Sequence, residues 1–318
     1  MDLLNLFSRL PAAVAQGLIW GIMALGVYIT FRVLNLADLT VDGTFALGGA
    51  VSVMLILAGW PAWLSVIAAI AAGLAAGLVT GLLHTKLGIP AILAGILTQF
   101  SLYSINLRVM GMKSNQTANL KNYGMFFENG KGFLVSSRYI PMAIVMGGVI
   151  AVVVVLALYW YFGTEQGSAL RATGCNPNMS SAQGINISIM KVLGLSLSNG
   201  LVALSGALMT QLQGTADVNM GRGAIVIGLA AIVIGEVFCG AIFKKGSNFA
   251  VRLGFMVVGA IVYYFVITII LWLKIGSIKI DANDLKLFTA IIVALFLAVP
   301  YLQEKARSPF TRRGRKEG

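Results

Sequence analysis

The stretch IPMAIVMGGVIAVVVVLALYWYF, Ile140–Phe162, runs 23 residues without a charge. A helix crosses the hydrocarbon core of a bilayer in about 20 mostly apolar residues, so this run reads as a membrane span. Working outward, eight further runs read the same way: Ala12–Phe31, Thr44–Ala58, Ala62–Leu83, Ile89–Met110, Val192–Leu212, Ala224–Ile242, Val251–Leu273 and Leu287–Tyr301. The reading is an all-α polytopic membrane protein of about nine transmembrane helices. Composition agrees. The chain has 318 residues, 58% hydrophobic and 11% charged, with mean hydropathy +0.89, whereas a soluble domain carries about 25% charged residues. An ordinary soluble enzyme, a disordered chain and a disulfide scaffold are excluded. Cys175 and Cys239 lie far apart and His84 is the single histidine, which gives no redox framework and no histidine-cluster metal site. The first run is read as a span rather than a cleaved leader, because further spans follow at once. The second run is short. The stretch before it, Arg32–Gly43, holds Asp38 and Asp42 and is expected to enter the membrane as a broken or extended helix end.

Basic residues orient the spans. Four spans separate the 163–191 loop from the C-terminal tail, so both face one side, joined there by the loop at 243–252. These segments carry Arg171, Lys191, Lys244, Lys245, Arg252, Lys305, Arg307, Arg312, Arg313, Arg315 and Lys316. The opposite loops of that half carry Arg222, Lys274, Lys279 and Lys286. Eleven against four places the tail and the 163–191 loop in the cytoplasm and the N-terminus outside. The 111–138 segment, outside in this scheme, holds Lys113, Lys121, Lys131 and Arg138; it is long enough to follow its neighbours. The net charge of +12 is thus assigned to loops and a tail facing anionic lipid, not to nucleic acid. Gly73, Gly77 and Gly81 share one helix face, and Gly17 and Gly21 repeat the spacing. Such faces let helix backbones approach closely in lipid.

No phosphate-binding loop is present: Gly124 and Gly130-Lys131-Gly132 have the wrong spacing and no following Ser or Thr. Nor is there a nucleophile elbow, a zinc motif or a dinucleotide fingerprint. The chain is therefore read as a non-enzyme without cofactor or metal, and energy for transport must come from a partner protein or an ion gradient. Polar groups inside apolar runs are the candidate pathway residues. Carboxylates in a membrane are costly and usually functional. Asp42 and Asp38, four residues apart and able to share a helix face, could gate the path or contact a substrate amine, or serve as helix-start acids at a positive dipole end. Gln99, Asn106 and Asn199 could line the path or join helices by hydrogen bonds. Arg108 could snorkel outward from its span. Glu236 is expected near Lys244 or Lys245. The loop from Gly163 to Ile185 reads as two short helices about a turn at Gly174–Pro177, the second capped by Asn178. Its small residues, Ala169, Ala172, Ala182 and Gly184, suit a docked surface; a solvated linker is the other reading.

The string ALRATGCNPNMSSAQGI, Ala169–Ile185, resembles the cytoplasmic coupling segment of permease subunits of ATP-binding-cassette importers, in the superfamily serving branched-chain amino acids, ribose and nucleosides. RVLNLADLTVDGTFALGGAV, Arg32–Val51, resembles the start of that family's second helix. DLTVDG at Asp38–Gly43, with GILTQFSLYSINLRVMG at Gly95–Gly111, is similar to one branch, whose permeases are paired with substrate-binding lipoproteins, some of them assigned to tryptophan or tyrosine uptake. The resemblance covers about residues 12–300. It implies a permease domain over 1–302, with a coupling loop at about 163–188 that includes Glu165, Arg171, Gly174, Asn176, Pro177 and Gly184, and a basic cytoplasmic tail over 303–318. The implied partners are two ATPase subunits that hydrolyse the ATP, an extracellular substrate-binding lipoprotein and a second permease copy, in a bacterial cell membrane. The implied cargo is an amino acid, with an aromatic one favoured by the branch; a nucleoside or sugar is the alternative within the family. The rival class is an ion-coupled secondary carrier with Asp42 as its ion site. Such carriers usually show internal repeats, none is evident between the halves, and they need no docking loop. An intramembrane enzyme would rest on Asp38 and Asp42 alone.

Overall fold

The computed structural model describes residues 3–118, 133–243 and 248–272, with 290, 291, 293, 294 and 298 beyond them. The apolar runs become helices: α1 Leu3–Tyr28, α2 Thr40–Leu57, α3 Ala62–Thr85, α4 Ala91–Val109, α5 Ile140–Gly163, the short α6 Glu165–Cys175 and α7 Pro177–Ala182, α8 Ile187–Gln213, α9 Ala224–Ile242 and α10 Phe249–Trp272. Among the described residues eight helical stretches are long and apolar enough to cross a membrane. The ninth run, Leu287–Tyr301, lies largely outside the described residues, as do the tail and Lys244 and Lys245.

Helices α1, α2 and α8 form the centre. The apolar window of α1 is 83% buried, that of α5 only 22%. Val145, Val149, Val152, Val153 and Leu156 of α5 point outward, which suits a helix whose solvent is lipid. The glycine faces explain the tight centre. A Cβ at Gly73, Gly77 or Gly81 would strike the backbone of α8 at Asn199, Leu195 and Val192, so these glycines seat α3 directly on α8. Gly17 and Gly21 seat α1 on α10 at Ile261 and Val257 in the same way. This contact of backbones replaces the hydrophobic drive that lipid cannot supply.

Two three-residue strands, β1 Asn115–Thr117 and β2 Thr215–Asp217, pair antiparallel with Gln116 opposite Ala216. They put residues 111–118 and the loop after α8 at one end of the bundle, the side shared by those two segments in the charge-based reading. The α6–α7 hairpin lies against the start of α8, at the other end.

Candidate functional site

Two stretches of non-helical backbone enter the bundle; one carries Asp38 and the other reaches Asp42. The first follows α1. The helix widens into a π turn over Ile29–Val33, then residues 34–39 run free of helix before α2 starts. The segment's amides are met locally: Leu34 N donates to Ile29 O and Leu36 N to Thr30 O, each at 2.9 Å. The second is 218–223, which descends from β2 along α2 until Gly221 packs on the Asp42 carbonyl. At membrane depth such backbone is tolerated only inside protein or beside a cavity. Both conditions hold here, one for each of the two carboxylates.

Asp38 is 3% exposed. Its Oδ1 accepts from Thr40 N at 2.9 Å, and its Oδ2 accepts from Asn199 Nδ2 at 2.8 Å. Asn199 lies midway along α8 and is itself saturated: Nδ2 also donates to Leu195 O, and Oδ1 accepts from Thr44 Oγ1 at 2.7 Å. Thr40, Thr80 and Thr98 extend this polar seam through their hydroxyls. Asp42 takes another course. Its Oδ2 accepts from Gly223 N at 3.0 Å and its Oδ1 from Ile225 N at 3.1 Å. It therefore caps the N-terminus of α9, where the free amides and the helix dipole favour a negative charge. The expectation that the two acids share a helix face is corrected: Asp38 precedes α2, and the two side chains serve different parts of the fold. Asp42 is a helix-start acid in the first turn of α2, and its carboxylate also caps a helix that begins 182 residues later in the chain.

Beside Asp42 lies a cavity of about 490 Å³, within the usual range of about 300–1,000 Å³ for ligand pockets. Asp42 and Gly43 of α2, Gln99, Phe100, Tyr103 and Asn106 of α4, and Val218, Asn219 and Arg222 of the descending segment line it. Three candidate residues from the sequence, Asp42, Gln99 and Asn106, thus converge. Asp38 and Asn199 do not; they bind each other in the seam. Phe100, Tyr103, Asn219 and Arg222 were not singled out as pathway residues. A signal existed for α4: Gln99, Tyr103 and Asn106 recur at i, i+4 and i+7, one face of a helix. None existed for Asn219 and Arg222, which reach the groove only through the descent of their loop.

The loop at 163–188 forms a helical hairpin. Thr164 caps α6 by accepting from Gly167 N at 3.3 Å. The cap of α7 is Asn176, whose Oδ1 accepts from Met179 N at 3.1 Å, and not Asn178. Pro177 then takes the first helical position, where its missing N–H costs nothing. Gly184, at φ +81°, reverses the chain after α7. Glu165 is exposed in the first turn of α6. Arg171 turns back on its own chain, donating to Phe162 O at 2.9 Å, with its guanidinium 5.7 Å from the centre of the Phe249 ring. Leu170 is fully buried, and Gly174 sits so close to the Val33 carbonyl that no side chain fits there. The remaining surface, including Met179 at 63% exposure, is open. Glu236 pairs with Arg32 of the π turn, Arg32 Nε donating to Oε1 at 2.7 Å; Lys244 and Lys245, expected near it, lie outside the described residues.

The family model described as branched-chain amino acid transport system / permease component matches residues 10–300. The chain belongs to this permease family. A tyrosine transport system permease protein of Clostridioides difficile (strain R20291) is 38% identical to this permease over 291 residues, 92% of this chain and 91% of its own. The uncharacterized protein RP368 of Rickettsia prowazekii (strain Madrid E) is 36% identical over 291 residues, 91% of this chain and 96% of its own. A ribose import permease protein of Haemophilus influenzae is more distant, 24% identical over 260 residues, 81% of this chain and 75% of its own. The permease is thus an all-α, multi-pass protein of the bacterial inner membrane and belongs to the ATP-binding-cassette type. Its family is one of membrane subunits rather than catalytic ones.

Proposed function

We propose that this permease carries an amino acid, preferably an aromatic one, and that the cargo passes the groove beside Asp42. The observation that carries this reading is convergence: Asp42, Gln99 and Asn106, polar groups from two different spans, line one cavity together with the rings of Phe100 and Tyr103. The likeness to a tyrosine permease supports the cargo class. ATP would be hydrolysed by two separate ATPase subunits that dock on the open face of the α6–α7 hairpin, with Glu165, Asn176, Pro177 and Gly184 on or beside that face and Gly174 seating it on the bundle. A lipoprotein would deliver the cargo outside, and two copies of the permease would form the transmembrane unit. ATP-driven closure then favours one arrangement of the helices over the other through its differential grip on the hairpins.

The test is a pull-down of the detergent-solubilised permease from its native membrane, followed by uptake in proteoliposomes made from what co-purifies. Recovery of an ATPase and a lipoprotein, with ATP-dependent uptake of tritiated L-tyrosine that excess ribose does not inhibit, is the expected result. A permease that purifies alone and transports under an ion gradient overturns the importer reading. Uptake of ribose but of no amino acid overturns the cargo class.

A further inference from the structure

Asn106, one of the residues lining the groove, carries a buried polar atom that the fold leaves unmet. Asn106 is 1% exposed. Its Nδ2 donates to Gly43 O at 3.3 Å, while its Oδ1 is buried with no hydrogen-bond partner. The orientation of the amide is not arbitrary. Turned over, Oδ1 would face the Gly43 carbonyl, acceptor against acceptor. Oδ1 therefore presents a bare acceptor in a protein interior, where more than about 90% of polar groups find a partner. Asp42, adjacent to Gly43, lines the same groove with a carboxylate held in place by Gly223 N and Ile225 N. Two bonds leave an ionised carboxylate with acceptor capacity to spare. This side of the groove is thus rich in acceptors and negative potential. On the descending segment, between the Gly221 and Gly223 that touch Asp42, Arg222 lines the same groove, is exposed and has no ion-pair partner among the described residues. A guanidinium is shaped to bind a carboxylate through two parallel bonds.

We propose that Asn106 Oδ1, supported by the Asp42 carboxylate, receives the α-ammonium group of the cargo, and that Arg222 takes its α-carboxylate. The groove then selects a zwitterion and not merely a polar solute. A sugar could offer a hydroxyl to Oδ1 but would leave both the acid and the guanidinium unmatched. The inference rests on the reading of the groove as the cargo's path and adds which atoms recognise which end of it.

The experiment uses the permease purified with its ATPase and freed of the cargo-binding lipoprotein, and binding of tritiated L-tyrosine by scintillation proximity. The competitors are tyramine, which lacks the carboxylate, and 3-(4-hydroxyphenyl)propanoate, which lacks the ammonium. Asn106→Leu should weaken L-tyrosine and tyramine by about tenfold to a hundredfold, the scale of a buried hydrogen bond to a charged group, and leave the propanoate unchanged. Arg222→Gln should weaken L-tyrosine and the propanoate and spare tyramine. Asn106→Asp, which keeps an acceptor, should retain tyramine binding and controls for folding, together with the elution profile and thermal midpoint in detergent. Equal weakening of all three ligands by Asn106→Leu, or of none, overturns the assignment. Those results with wild-type L-tyrosine uptake intact leave the cargo reading standing. Absence of any amino acid uptake by the wild type removes both.

Discussion

The polar seam around Asp38 and the groove beside Asp42 start from the same residue type, four positions apart, and end in opposite conditions. In the seam every hydrogen-bonding group closes on another: Asp38 on Thr40 and Asn199, Asn199 on Thr44 and Leu195. In the groove Asp42 is anchored by the Gly223 and Ile225 amides at the N-terminus of α9, but its neighbour Asn106 is left with an open acceptor. A carboxylate in a membrane is costly in either place. The seam offsets that cost within the protein, so it behaves as a structural joint. The groove offsets it only in part and leaves the balance for something that enters. A polar residue in a membrane span is therefore not by itself a pathway residue; what separates the two kinds is whether its partners are already supplied.

The largest expected effect that tests this contrast is on folding. Asp38→Ala strips the acceptor from Thr40 N and from one proton of Asn199, and each buried orphan costs about 1–3 kcal/mol. The thermal midpoint in detergent should fall further than for any substitution in the groove; a smaller fall than that of Asp42→Ala breaks the comparison. Next in size is the coupling between positions. Asp38→Ala combined with Asn199→Leu should be non-additive by about 0.5–3 kcal/mol, whereas Asp42→Ala combined with Asn199→Leu should add within about 0.5 kcal/mol, since those side chains share no bond. Asp42→Ala alone should cost about 0.5–2 kcal/mol, the range for losing a helix cap, and Asp42→Asn less because one acceptor oxygen survives. Uptake by Asp42→Asn should nevertheless fall more than its stability; uptake at the wild-type level would place Asp42 with the seam. The smallest effect belongs to Glu236→Gln. Its partner Arg32 is half exposed, so the loss should stay within about 0.2–1 kcal/mol and shrink as salt is raised.

The sequence carried the spans well, because a bilayer demands a run length that no other environment does. Ile140–Phe162 and α5 differ by a residue. The break before α2 was also legible, since two acids in a short run cannot be lipid-facing helix. Its counterpart at 218–223 was not, because nothing local distinguishes Val218–Gly223 from an outer loop; only the carboxylate of Asp42 draws it inward. The same distance in sequence hides the Arg32–Glu236 pair, 204 residues apart. Asn176 and Asn178 are chemically equivalent candidates for one cap, and the choice falls to Asn176 because Pro177 lacks an N–H and fits the first position after it. At the groove, residue type flagged Asp42, Gln99 and Asn106 but could not exclude Asn199, whose partners come from a segment that no span-by-span reading places beside it.

The glycine at 174 has a mechanical consequence. Because it admits the Val33 carbonyl where a side chain would stand, and Leu170 beside it is sealed against the core with Leu34 and Gly194 around it, α6 bears directly on the foot of the interrupted segment. Four residues lie between Val33 and Asp38, five Cα–Cα steps, a tether of at most about 18 Å even at full extension. Little slack lies between them. A load applied to the hairpin therefore passes not only into α5 and α8, to which it is joined, but also directly into the strut that carries Asp38, so a buried polar joint sits within one lever arm of the surface on which an outside force would act.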